Sequence, residues 1–111
     1  MHYVLQFSIL KGKNIIQFEW DEEKERKNIK KHGIDFRTAV LVFNDSNRLK
    51  WFDAIHSAEE FRYITIAQIS QTLIVVVVVY TERECSLRIF SARLATKSEM
   101  EGYYGDCNRR H

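Results

Sequence analysis

The chain has 111 residues, 45% of them apolar and 29% charged, with a formal net charge of only +2. That balance fits a globular chain with one modest core and excludes a disordered one. It also excludes nucleic-acid recognition by bulk charge, so any such site has to be a local patch.

Proline is absent and glycine occurs four times, without a Gly/Ser-rich run. No linker is therefore expected, and residues 1–111 read as a single domain. The two cysteines, Cys85 and Cys107, show no metal-ligand spacing. They read as free thiols of a reducing compartment, which points to the cytoplasm.

The opening stretch, MHYVLQFSILKGKNIIQ, is apolar from Tyr3 to Leu10. It is too short to span a bilayer, and no small-residue cleavage site follows it. Residues 1–17 are expected to be either an added edge strand or an extension preceding the domain proper. Residues 18–20 read as a short strand. Asp21 is a good N-cap, Glu22 and Glu23 suit the first turn of a helix, and Lys30, Lys31 and His32 suit its last. Gly33 then fits the left-handed cap position, with apolar Ile34 after it. This helix has almost nothing to bury: Ile29 is the only apolar residue between Glu22 and His32. Ile29 and Trp20 are expected to serve the core.

A second helix follows, capped by Asp35. Phe36, Ala39, Val40 and Phe43 fall at i, i+3, i+4 and i+7 and form its core stripe. Asn44 to Asn47 is a turn. The remainder is mostly β. Residues 48–52 are a strand, residues 53–59 a polar loop, and residues 61–69 an alternating strand. Ser70 and Gln71 turn the chain into residues 72–80, whose LIVVVVV run marks a buried central strand. A turn at 81–84 leads into a last strand over 85–93. Short links predict an antiparallel meander. Thr96 and Glu99 match a capping box. It opens a short helix carrying Met100, Tyr103 and Tyr104, with residues 105–111 as a flexible tail. The order β-α-α-β-β-β-β-α gives an α+β fold.

No HExxH, P-loop, GxSxG or CxxC pattern occurs, so metal and nucleoside-triphosphate chemistry have no motif behind them. No cofactor and no metal ligand is expected. What stands out is a set of cations: Lys24, Lys27 and Lys31 on one face of the first helix, Arg62 at a strand start, Arg83 in a turn, and Arg88 and Arg93 on the last strand. Arg62 and Arg88 are flanked by apolar residues, where a guanidinium needs a partner or a ligand. A planar guanidinium also matches phosphate. His56, in "DAIHSAEE", can act as acid or base near neutrality. Together these types suit metal-free RNA cleavage. That reaction needs a base for the ribose 2′-OH, a cation for the phosphate and an acid for the leaving 5′-oxygen. The competing reading is an ordinary solvated sheet edge, with ion pairs to Glu59, Glu60, Glu82 and Glu84.

Three patterns, W-D-x-x-K-x-x-x-N-x-x-K-H-G, H-S-x-x-E-x-R and R-I-x-S-A-R-x-A-T, occur in order between about Phe18 and Tyr104. In them the chain resembles the BrnT family of bacterial toxins from type II toxin–antitoxin pairs. The resemblance implies a RelE-like α+β toxin, with two N-terminal helices and a C-terminal helix on a twisted antiparallel sheet of about four to five strands. It implies metal-free endoribonuclease activity that inhibits translation. It also implies a DNA-binding BrnA-like antitoxin, a toxin dimer within a heterotetramer, and repression of the pair's own operon through the antitoxin. A non-catalytic antitoxin-binding co-repressor is the alternative.

Carried over position by position, the family pattern points to Lys24, Asn28, Lys31, His32, His56, Arg62, Arg83, Arg88, Ser91, Arg93 and Tyr104. Arg88 is then the first phosphate candidate and Arg62 the second. His56 is the acid–base candidate, with Lys24 as its alternative. Lys31, Arg83, Arg93 and Tyr104 are expected to bind RNA, although Tyr104 suits either a stacked base or a cover for the sheet. The lysines of the first helix would face either RNA or an acidic stretch of the antitoxin.

Overall fold

The computed structural model describes residues 3–55 and 60–110. The N-terminal stretch is strand from nearly its start. Strands β1 (Val4–Lys11) and β2 (Asn14–Trp20) form a hairpin. Its turn contains Gly12 at φ +63°, a conformation in which glycine carries no Cβ penalty. The edge-strand expectation therefore holds, and β2 begins four residues earlier than the sequence suggested.

Helix α1 (Glu22–His32) has the predicted caps. Asp21 accepts the amides of Glu23 and Lys24 at 2.8 and 3.1 Å. Gly33 sits at φ +75° and donates to the Ile29 carbonyl. The expected role of Ile29 is corrected: its side chain is 44% exposed, and the buried residue of the helix is Asn28. The Asn28 carboxamide donates to the carbonyl of Ala92 at 2.9 Å and accepts the Ala92 amide at 3.1 Å. It also donates to the Ile34 carbonyl. A polar side chain thus completes a strand edge, which removes the need for an apolar stripe.

The second helix is a single α-turn, α2 (Phe36–Ala39), that tightens into a 3₁₀ segment, Val40–Asn44. Its predicted stripe survives the change: Phe36, Ala39, Val40 and Phe43 are all buried. Strands β3 (Leu49–Phe52), β4 (Tyr63–Gln68), β5 (Val75–Glu82) and β6 (Ser86–Leu94) form the expected antiparallel meander. The whole sheet is larger than expected and mixed. It has six strands in the order β1-β2-β6-β5-β4-β3, and β2 runs parallel to β6. Local links report hairpins, whereas Glu19 and Arg88 lie 69 positions apart, beyond the reach of any turn signal.

Helix α3 (Lys97–Arg110) opens on the expected capping box, with Glu99 N–H donating to Thr96 Oγ1 and Thr96 N–H to Glu99 Oε1. It then continues through Gly105 to Arg110, where a flexible tail was expected. Met100, Tyr103, Tyr104 and Cys107 pack at i, i+3, i+4 and i+7, and this stripe carries the helix on. Cys107 is half-buried and Cys85 exposed, both as free thiols.

The sheet has a core on each face. On one, Phe36, Val40 and Phe43 pack on Phe18, Val78, Tyr80 and Ile89. On the other, α3 packs on Ile66, Val75 and Val77, and Ile64, Val79 and Ser91 line an open cleft beside it.

Candidate active site

The open half of that face gathers cations around two aromatic rings. Its organiser is a β-bulge in β6: Val79 pairs with Ser91 and Tyr80 with Ile89, which leaves Phe90 as the extra residue. Such a bulge re-aims side chains at a site. Phe90 is 7% exposed and receives Arg62, whose guanidinium carbon lies 4.2 Å from the ring centroid, and Lys24, whose Nζ lies 5.3 Å away. Tyr3 meets Phe90 edge-on, with centroids 5.9 Å apart.

Arg88 lies over Tyr3, its guanidinium carbon 4.1 Å from the ring centroid. Its Nε donates to Glu19 Oε1 at 2.8 Å, and its Nη1 lies 3.6 Å from Glu60 Oε1. The same Glu60 oxygen takes Arg83 Nη1 at 2.6 Å. One carboxylate therefore bridges two arginines. Burial raises the Tyr3 hydroxyl above its ordinary pKa, and the nearby Arg88 charge works against that rise. Asp21, at the start of α1, is held below the usual carboxylate range, first by the Lys24 amide. Lys24 is thereby fixed through its own backbone.

Arg62 also lines a cleft of about 420 Å³ with Asp53, Ile55, Ile64, Val79 and Ser91. The Asp53 amide donates to the Arg62 carbonyl at 2.8 Å, which ties the two residues together across the sheet. A second cleft, of about 470 Å³, is lined by Asn44, Asp45, Gln68 and Gln71. It opens beside the C-terminal end of β4, and no Lys or Arg lines it. Among the described residues, no group of three or more His, Cys, Asp or Glu is placed to hold a metal.

Of the residues singled out from the sequence, Lys24, Arg62, Arg83, Arg88 and Ser91 come together here. His56 lies outside the described residues. Lys31 is exposed on α1, two turns or about 10 Å beyond Lys24. Arg93 forms a two-pronged pair with Glu99 at 2.7 and 2.9 Å, anchoring α3. That pair holds the Glu99 carboxyl at about 2. Tyr104 lies on α3 and donates to the Leu73 carbonyl at 3.3 Å. Sequence reasoning missed Tyr3, Glu19, Asp53 and Phe90. Only the odd position of a charge on β2, Glu19 between Phe18 and Trp20, signalled any of them.

Two comparisons bear on this geometry. The family model described as a ribonuclease toxin, BrnT, of type II toxin–antitoxin systems matches residues 20–99, a span holding Lys24, Arg62, Arg83, Arg88 and Ser91. No curated protein matches the chain. With most of its length inside the model, the chain belongs to the BrnT family of type II toxin–antitoxin ribonuclease toxins.

Proposed function

We propose that this chain is a metal-independent endoribonuclease of RelE-like architecture, acting in the cytoplasm to stop translation. The observation that carries the reading is the convergence of Lys24, Arg62 and Arg88 on the Tyr3–Phe90 pair, with Arg62 also lining an open cleft. Fixed cations there would hold a phosphodiester as charge builds on its non-bridging oxygens. A base, His56 or alternatively Lys24, takes the proton of the ribose 2′-OH. The 2′-oxygen bonds to phosphorus as the bond to the 5′-oxygen breaks, and an acid returns a proton to that oxygen. The products are a 2′,3′-cyclic phosphate and a free 5′-hydroxyl.

Family membership implies an antitoxin partner. We take it to be a DNA-binding BrnA-like protein that assembles with a toxin dimer as a heterotetramer and represses the shared operon. One observation favours a second reading, an inactive antitoxin-binding co-repressor: Arg88 is already engaged by Glu19 and Glu60.

The test is RNA cleavage by the purified chain in EDTA beside Arg88→Ala. Wild-type cleavage lost in the variant, with an unchanged circular dichroism spectrum, supports the nuclease. Equal cleavage by both refutes the role of Arg88. No cleavage by either, together with tight antitoxin binding and no growth arrest, establishes the co-repressor.

A further inference from the structure

Resting on the ribonuclease reading, we propose that Tyr3 is a positioning residue for Arg88, so that the N-terminal hairpin, most of it outside the matched segment, builds part of the active site. The family model begins at residue 20. Two of the three groups that contact Arg88 precede it: Tyr3 just before β1, and Glu19 near the end of β2. Their contributions differ. Glu19 binds the guanidinium at Nε, which fixes one edge but leaves its plane free to swing. Tyr3 lies under the guanidinium, its ring centroid 4.1 Å from the guanidinium carbon, and limits that swing. Two-pronged recognition of phosphate depends on that plane, because both N–H vectors of the fork must aim at once.

Tyr3 has a second contact. Its edge-on packing against Phe90, at an interplanar angle of 89°, couples the ring under Arg88 to the ring that carries Arg62 and Lys24. The aromatic pair thereby sets the spacing between the three cations.

The experiment compares Tyr3→Phe, which keeps the ring, with Tyr3→Leu and Tyr3→Met, which keep apolar bulk without it. Side-chain NMR of Arg88 reads the geometry without any need for activity. The wild type should show Arg88 protons shifted upfield by the ring, a shift kept in Tyr3→Phe and lost in the other two. Backbone amide shifts of β1 and β2 report whether the hairpin is intact. In RNA cleavage, kcat/KM should fall about threefold to tenfold in Tyr3→Leu and Tyr3→Met, with kcat lowered, and Tyr3→Phe should stay close to wild type. Absence of the ring shift in the wild type overturns the proposal, as does an unchanged kcat/KM in both ring-less variants. Wild-type protein that cleaves no RNA overturns the ribonuclease reading alone, and the Arg88 shifts still decide whether Tyr3 holds that side chain.

Discussion

Replacing Glu60 with glutamine should tighten RNA binding. The Glu60 carboxylate accepts from Arg83 at 2.6 Å, occupying a donor a phosphate would otherwise use, and lies 3.6 Å from Arg88, whose charge it offsets. It also repels any phosphate brought to them. For two unit charges about 5 Å apart at an effective dielectric of about 40, that repulsion is worth about 1.7 kcal/mol. The side chains of Glu60 and Arg83 are 29% and 47% exposed, so screening leaves about 1 kcal/mol, a gain of about fivefold in affinity. The cost in stability is small, because a half-exposed ion pair contributes about 0–1 kcal/mol. The assay is fluorescence anisotropy with a 2′-O-methyl oligonucleotide, which cannot be cleaved, over a range of salt. Glu60→Gln should bind about fivefold tighter at low salt, and the advantage should shrink as salt rises. Equal or weaker binding would refute the reasoning. It would mean that Glu60 holds Arg88 in place and does not compete for it.

Two further outcomes test the frame around the site. Asn28→Ala strips Ala92 of both its edge partners and should cost about 1–3 kcal/mol in urea unfolding, with faster exchange of the Ala92 amide; Asn28→Asp, whose carboxylate can donate to neither carbonyl, should recover little of it. The Glu99 carboxyl is lowered from 4.5 to about 2, first by Arg93, so its contribution is present above pH 4.5 and lost as pH falls toward 2. Arg93 is 41% exposed, which discounts the gain to about 1–2 kcal/mol, and urea unfolding of wild type against Glu99→Gln should show the difference at pH 6 and most of it lost at pH 2.

Much of the fold is legible in local chemistry. Asp21 and Gly33 end α1 where the sequence placed them, the Phe36-to-Phe43 stripe is buried, and Thr96 caps α3. What was illegible needed partners distant in the chain. The charged helix α1 reads as poor because its anchor is an asparagine. Asn28 binds the backbone of Ala92, 64 positions away, and no hydrophobic period can report such a bond. The same holds for Glu19, whose role appears only once β2 lies parallel to β6.

The site itself was half-legible for a geometrical reason. In a regular strand Arg88 and Ser91, three residues apart, point to opposite faces. Here both point to the open cleft side, because Thr81 pairs with Arg88 and Val79 with Ser91, and Thr81 and Val79 share a face of β5. The extra residue, Phe90, makes up the difference. Alternation alone would have put Arg88 on the buried face with Ala92, where an unpaired guanidinium could not survive. The bulge thus does two things at once. It swings Arg88 out of the core and toward the cation cluster, and it supplies the ring on which Arg62 and Lys24 rest. The cleft-side arginine and the aromatic platform are consequences of one inserted residue, which is why neither could be read from the strand's own pattern.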